Sequence, residues 1–340
     1  MLRQTLHRLS ESSTAERVIT RAPISRHMVS RFVAGSTLAE ALDVAEALNS
    51  AGLSVSLDYL GEAVSSREEV AQATGMAITC LEGIAERELS ANVSLKPTQL
   101  GLALDEELCL QGVAAILERA RALGDGEGEI FVRLDMESSD YVERTIVLVE
   151  RLWEMGYRNV GTVLQSYLHR TPEDVERLNA LGSRVRLVKG AYKEPEQVAY
   201  QDKAKVDEMF IREMEMLLRD GTYPAIATHD EAMIDAGRRY AFEHGIDKSS
   251  FEYQMLYGVR RDFQARLREE GYNVRVYVPF GDSWYPYLMR RLAERPANLM
   301  FMASSVMAES PLRKIASPLA IGVGAVAGAI GALSWRRNGR

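Results

Sequence analysis

Eight short strand-like runs, each followed by a helical segment, constrain the fold more than any other feature of this sequence. The runs are 53–60, 90–96, 129–136, 158–166, 184–190, 223–229, 251–257 and 273–280. Segments between them, such as 68–88, 106–123, 141–155 and 197–219, have apolar residues at three- and four-residue spacing, which is typical of amphipathic helices. Eight such units match the size of a (β/α)8 barrel of TIM type, about 250 residues. A doubly wound open sheet is the competing fold, but no Gly-x-Gly-x-x-Gly follows the first run.

Alternation within the runs indicates which side chains line the barrel. Parallel strands that are buried on both faces usually read as continuous apolar runs, but here Arg133 and Asp135 fall on the face opposite Leu134, and other runs repeat this. If the apolar faces pack on the helices, the polar faces predict an ionic interior. That interior would hold Asp58, Lys96, Arg133, Asp135, Gln165, Arg186, Glu252 and Arg275. Buried charges must be paired, and alternate strands share a layer of side chains, so Asp135 is expected to pair with Arg186. An antiparallel meander would also alternate, but hairpins rather than long helical connections would then join the runs.

Two segments at the ends of runs carry residue types that suit ligand binding. In the helix predicted after the last run, Tyr287, Arg290, Arg291 and Glu294 share one side, and two guanidinium groups braced by Glu294 suit a small carboxylate. The alternative is a solvated helix face with an internal salt bridge. At the end of the fifth run, Gly190 and Ala191 let a flat ring or a phosphate approach the backbone. Arg186 and Lys189 supply positive charge beneath it.

Composition excludes several functional classes. With 46% hydrophobic and 26% charged residues the chain is an ordinary folded protein, and its net charge of -7 provides no positive field for nucleic acid. Its two cysteines, Cys80 and Cys109, make neither a disulfide scaffold nor a metal cluster, which favours the cytosol. Neither a metal-ligand motif nor a Gly-x-Ser-x-Gly elbow is present, so no metal site is predicted.

The two ends of the chain lie outside the repeating pattern. Residues 1–50 are predicted to form an N-terminal helical segment, 51–307 the barrel, and 311–337 an extra apolar C-terminal helix. The stretch from Ile315 to Trp335 carries no charge and is about as long as a membrane-spanning helix. It is therefore a candidate membrane anchor, with an apolar helix docked on the globular body as the alternative.

Several segments together resemble the proline dehydrogenase family in its short, monofunctional, FAD-dependent form. They are 92–101 (NVSLKPTQLG), 186–192 (RLVKGAY), 227–229 (ATH), 251–258 (FEYQMLYG), 277–281 (YVPFG) and 287–294 (YLMRRLAE), in order along the chain. The resemblance implies oxidation of L-proline to 1-pyrroline-5-carboxylate, with hydride transfer to N5 of FAD and electrons passed to a quinone. It also implies a pyrroline-5-carboxylate dehydrogenase as a downstream partner. The expected location is the cytoplasm at the inner face of the plasma membrane, through peripheral or tail-anchored contact.

The resemblance also implies roles for individual residues. Asp135 and Arg186 would be the catalytic pair. Substrate contacts would come from Lys96, Arg290, Arg291, Tyr277, Tyr287, Leu256 and Glu294. Flavin contacts would come from Met136, Gln165, Arg186, Lys189, Gly190, Ala191, Tyr192, Thr228 and His229. The chain departs from the family pattern at Lys193-Glu194 and at Asp230, which concerns flavin packing and the nearby loop. The rival hypotheses are a barrel aldolase that forms a Schiff base on Lys96 or Lys189, and a non-catalytic membrane-tethered binding module.

Overall fold

A closed parallel barrel forms the body of the protein. The computed structural model describes residues 30–61, 64–124 and 129–288. The chain divides into two compact units, Ser30–Trp284 and a second one made of Met1–Val29 with Tyr285–Arg340. The barrel belongs to the first unit, and Tyr285–Leu288 is the described part of the second.

Strands and helices alternate as the sequence predicts. The strands are β1 (Ser54–Tyr59), β2 (Ala91–Leu95), β3 (Val132–Leu134), β4 (Val160–Gln165), β5 (Val185–Val188), β6 (Ala225–Ala227), β7 (Glu252–Leu256) and β8 (Asn273–Phe280). The α-helices are α1 (Leu38–Ser50), α2 (Arg67–Glu86), α3 (Glu106–Ala122), α4 (Val142–Glu154), α5 (Thr171–Leu181), α6 (Lys203–Asp220), α7 (Glu231–Glu243) and α8 (Arg261–Glu269). Two 3-10 turns lie at Ser139–Tyr141 and Lys248–Ser250.

The strand order confirms the predicted barrel and excludes both the open sheet and the meander. Each strand pairs in parallel with the next, and β8 closes the ring on β1 with Ser54 opposite Arg275 and Tyr59 opposite Phe280. Because all the strands run parallel, their carboxyl ends meet at one rim of the barrel. Each strand from β1 to β7 is followed by a helix. In this fold that rim carries the active site.

Helix α6 begins later than predicted. The apolar spacing suggested a helix from 197, but the residues before Lys203 form a loop in which Val198 and Tyr200 hydrogen-bond to the segment after β4. Asp202 then caps the helix by accepting from the backbone N–H of Lys205 at 2.9 Å. The result is a long β5–α6 loop at the rim, directly after Gly190 and Ala191.

The predicted alternation of faces is confirmed. Val55, Leu57, Val93, Val132 and Leu134 are at most 1% exposed and belong to the apolar core. The opposite faces of the strands carry the buried polar residues, whose contacts are described below. The barrel is therefore apolar between strands and helices and ionic in its interior.

Candidate active site

Three ion pairs neutralise most of the charge inside the barrel. Lys96 Nζ lies 2.7 Å from Asp58, Arg186 Nη1 lies 2.8 Å from Asp135, and Arg275 Nε lies 3.0 Å from Glu252. Burial alone would raise the pKa of Glu252, but the Arg275 guanidinium offsets this and holds that pKa below its ordinary value. The pairing of Asp135 with Arg186 is the one expected from alternate strands sharing a layer.

Arg133 is the fourth basic residue predicted for the barrel interior, and no described carboxylate lies within hydrogen-bonding distance of it. Its Nη1 donates to the backbone oxygens of Thr162 at 2.9 Å and Arg184 at 2.6 Å, and its guanidinium lies 4.7 Å from the centre of the Phe131 ring. Burial, and then the charge of Arg186, lower the pKa of Arg133 well below its ordinary value. Among the described residues that were predicted to line the interior, four basic and three acidic side chains leave one positive charge in excess.

Asp135 is the centre of the site. It follows β3 and accepts hydrogen bonds from Ser94 Oγ at 2.6 Å and Arg186 Nη1 at 2.8 Å on Oδ1, and from Tyr277 Oη at 2.8 Å on Oδ2. These donors come from β2, β5 and β8, so only the closed barrel brings them together. Burial, followed by the charge of Asp135, raises the pKa of Tyr277 well above its ordinary value, which keeps the phenol protonated as a donor.

Arg186 presents two donors that no described residue uses. Nη1 donates to Asp135 and Ser94, whereas Nε and Nη2 are buried and lack a hydrogen-bond partner among the described residues. The guanidinium lies 5.2 Å from the centre of the Tyr277 ring, which supports its orientation. Leaving buried charged donors unpaired is costly, so this arrangement indicates that a ligand with acceptor atoms completes the site.

A second charged cluster lies at the end of β5. Lys189 Nζ donates to Asp207 at 2.5 Å and Asp230 at 3.1 Å, and Asp207 also pairs with Lys203. Asp230, one of the two departures from the family pattern, caps α7 through the backbone N–H of Ala232. The sequence reasoning missed Asp207, because no local sequence pattern indicates that this position on α6 faces the strand ends.

The structure explains why position 190 is a glycine, which the sequence did not reveal. Its φ is +108°, and a Cβ atom at this position would lie 2.3 Å from the Tyr167 ring. Tyr167 lies two residues after Gln165, and its backbone N–H donates to Lys189 at 3.0 Å. The close approach expected at Gly190 is therefore made by a protein ring. Ala191 follows it at the rim, and Tyr192 is 38% exposed.

Hydrogen bonds join the ends of β2, β3 and β4. The Glu137 carboxylate accepts from the backbone N–H of Thr98 at 3.1 Å and from its hydroxyl at 2.7 Å. Gln165 Nε2 donates to the Glu137 backbone oxygen at 2.8 Å. These contacts position the segment that contains Met136, which is 7% exposed. Burial raises the pKa of Glu137, against the opposing effect of the Thr98 bonds.

Other predicted flavin and substrate contacts lie at the ends of β6 and β7. Thr228 Oγ1 accepts from the backbone N–H of Asp230 at 3.1 Å, and His229 Nε2 accepts from the backbone N–H of Leu256 at 2.9 Å. In the neutral imidazole the proton is therefore on Nδ1. His229 thus connects the ends of β6 and β7 and positions Leu256, a predicted substrate contact.

Glu194 belongs to the other departure from the family pattern, Lys193-Glu194, and it joins two loops of the rim. Its carboxylate accepts from the backbone N–H of Ser139 at 2.7 Å and from the Ser139 hydroxyl at 2.6 Å. The β5–α6 loop is in this way attached to the loop that follows β3. Among the described residues, Ser139 alone donates a hydrogen bond to this carboxylate.

Four predicted substrate residues fall outside the barrel unit. Arg290, Arg291 and Glu294 lie outside the described residues, and Tyr287 belongs to the second compact unit. The apolar segment 315–335 also lies outside the described part of the chain. Within that part, none of the helices is both long and apolar enough to cross a bilayer, and no cluster of metal-ligating side chains occurs.

The fold and the position of the site define the protein as a (β/α)8-barrel enzyme. The sequence matches the family described as proline dehydrogenase over residues 41–304. Proline dehydrogenase 2 of Bacillus subtilis (strain 168) is 43% identical over 277 residues, which cover 82% of this chain and 89% of that protein. The proline dehydrogenase of Deinococcus radiodurans is 40% identical over 285 residues, covering 83% and 90%. The chain belongs to the proline dehydrogenase family.

A solved structure has the same fold. Proline utilization A (PutA) from Bdellovibrio bacteriovorus, inactivated by N-propargylglycine, aligns with a TM-score of 0.74 and 26% identity. The alignment covers 88% of this chain and 36% of that one, so this chain spans about a third of the PutA length.

Proposed function

We propose that the protein oxidises L-proline to 1-pyrroline-5-carboxylate with FAD as its cofactor and a quinone as the electron acceptor. The observation that carries the proposal is the Asp135 cluster, in which Arg186 keeps two buried donors without a partner among the described residues. Curated relatives at 40% and 43% identity are proline dehydrogenases, and they match this chain over most of their length.

The residues of the described rim fit FAD. The Arg186 donors suit an acceptor-rich ring system, and Lys189 supplies a cation at the carboxyl end of the same strand, β5. Met136, Gln165, Gly190, Ala191, Tyr192, Thr228 and His229 would complete the flavin contacts. Bound there, FAD would supply the two-electron acceptor that no amino-acid side chain provides.

The charges of the site suit an amino acid with an uncharged amine. Removing a hydride from the carbon next to nitrogen requires the lone pair of the neutral secondary amine, and the one-charge positive excess disfavours an ammonium. Lys96, which pairs with Asp58 at 2.7 Å, would bind the proline carboxylate together with Arg290 and Arg291. Tyr277, Tyr287 and Leu256 would enclose the ring, and Glu294 would brace the arginines.

The aldolase alternative is disfavoured by the surroundings of both lysines. A Schiff-base lysine must present a neutral amine to a carbonyl carbon. Lys96 donates to Asp58, and Lys189 donates to two carboxylates, Asp207 and Asp230. The structure therefore presents both amines as partners in ion pairs.

The visible spectrum of the purified protein tests the proposal. We expect the absorption of oxidised flavin, bleached by anaerobic L-proline and restored by a quinone, with D-proline as the control substrate. Asp135→Asn should retain flavin and lose most of the bleaching rate. A colourless protein that does not bind added FAD would refute the proposal, and trapping of a carbonyl substrate by borohydride would support the aldolase.

A quinone acceptor implies contact with a membrane, and we propose that the enzyme works at the inner face of the plasma membrane. A chain that ends at Ser310 lacks the uncharged segment 315–335 and should move from the membrane fraction to the soluble one. If the shortened chain stays in the membrane fraction, this segment is not the membrane anchor. Because the product is an imine in equilibrium with an aldehyde, we propose a separate pyrroline-5-carboxylate dehydrogenase as the downstream partner.

A further inference from the structure

Among the described side chains that hydrogen-bond to Asp135, Ser94 is the one to which the sequence assigned no role. It lies on β2, is 1% exposed, and its hydroxyl is 2.6 Å from Asp135 Oδ1 and 3.2 Å from Arg186 Nη1. Since a carboxylate only accepts, the hydroxyl proton must point to Asp135, and its oxygen then accepts from Arg186. Ser94, Asp135 and Arg186 form a closed triangle of hydrogen bonds.

This triangle explains an unusual geometry of the ion pair. Arginine and carboxylate often pair through two parallel hydrogen bonds, each to a different oxygen. Here only Nη1 contacts the carboxylate, at Oδ1, because Tyr277 donates to Oδ2 and Ser94 accepts the second proton of Nη1. Nε and Nη2 consequently remain without a partner among the described residues.

We propose that Ser94 is a positioning residue that keeps the Arg186–Asp135 pair single-bonded and so reserves Nε and Nη2 for the ligand. Without the hydroxyl, Nη1 loses an acceptor, and the guanidinium can turn to donate to Oδ2 as well, because a carboxylate oxygen can accept a second hydrogen bond beside that from Tyr277. The donors that stabilise negative charge on the reduced cofactor would then be used up within the protein. This inference rests on the proposed function, and it extends that function to a residue outside the predicted site.

The test compares Ser94→Ala with three further variants. Ser94→Cys keeps the size but donates weakly, whereas Ser94→Thr keeps the hydroxyl. Ser56→Ala is the matched control, because Ser56 is a buried serine of the neighbouring strand β1 that donates to Asn92 instead of the Asp135 cluster.

We expect the rate of flavin reduction by proline to fall about 10- to 100-fold in Ser94→Ala, the range for residues that orient a functional group. KM for proline should change less than about threefold, because Ser94 acts on Arg186 and not on the carboxylate site. Ser94→Cys should be equally slow, and Ser94→Thr should recover most of the rate. Ser56→Ala should keep the wild-type rate, whatever its thermal stability.

A measurement without proline separates this inference from the proposed function. The midpoint potential of bound FAD, titrated with dithionite and a reference dye, should become more negative in Ser94→Ala. A tenfold weaker preference for reduced flavin corresponds to about 30 mV for a two-electron couple. A wild-type potential in Ser94→Ala, or an equal shift in Ser56→Ala, would overturn the inference. If wild-type FAD is reduced by dithionite but not by proline, the proposed function fails while the potential still tests Ser94.

Discussion

Glu213 provides the clearest test of how this structure depends on pH. It lies on α6 with 0% exposure, among buried apolar residues of the same helix such as Phe210, Met214 and Leu217. Neither carboxyl oxygen has a hydrogen-bond partner among the described residues, and burial raises its pKa to about 9. The folded protein should therefore hold this carboxyl in its neutral form at pH 7.

The sign of the effect follows from proton binding. An unfolded glutamate has a pKa of about 4.3, so between roughly pH 5 and 9 the folded state holds a proton that the unfolded state lacks. The contribution of Glu213 to the free energy of unfolding should then fall by about 1.4 kcal/mol per pH unit as the pH rises, or about 4 kcal/mol from pH 4.5 to 7.5. The contribution is complete below the unfolded pKa and is lost as the pH rises towards the folded one.

Glu213→Gln removes the ionisation and keeps the shape. Urea unfolding at pH 5, 6, 7 and 8 should show a free-energy difference between variant and wild type that rises by about 1.4 kcal/mol per pH unit in favour of the variant. Glu208→Gln, at an exposed position of the same helix, should show a flat difference, and Glu213→Met should reproduce the effect without a buried amide. A difference independent of pH for both Glu213 variants would refute the reasoning.

The remaining predictions concern the rim and the thiols. Gly190→Ala should destabilise the protein by about 2–4 kcal/mol, because the residue has a positive φ and an added Cβ would collide with the Tyr167 ring. Gly156 is the control: its φ is +95° but an added Cβ would meet open space, so Gly156→Ala should cost only about 1 kcal/mol. Urea unfolding measures both, and equal costs would contradict the packing argument. Burial raises the pKa of Cys80 and Cys109 to about 12, so neither should react with Ellman's reagent until urea unfolds the chain; fast labelling of the native protein would disprove this. Arg290→Ala or Arg291→Ala should raise KM for proline about 100-fold while flavin stays bound; a wild-type KM would show that the carboxylate binds elsewhere.

The order of elements and the face of each strand could be read from the sequence. The alternation of apolar and polar residues is local, so it predicted the barrel, its ionic interior and the pairing of Asp135 with Arg186, all of which the structure confirms. The eighth strand was predicted with its observed bounds, Asn273–Phe280. The roles of the site residues stay predictions that the experiments above address.

Contacts between distant strands could not be predicted, because they depend on how the ring closes and on which rotamers then meet. The position of Ser94 between Asp135 and Arg186 is set by residues separated by 41 and 92 positions in the chain. The Tyr167 ring against Gly190 likewise follows from the pairing of β4 with β5. Local periodicity thus determines which side chains enter the barrel, and only the closed tertiary structure decides which donor meets which acceptor, because hydrogen bonds act over less than 3.5 Å between segments that periodicity does not relate.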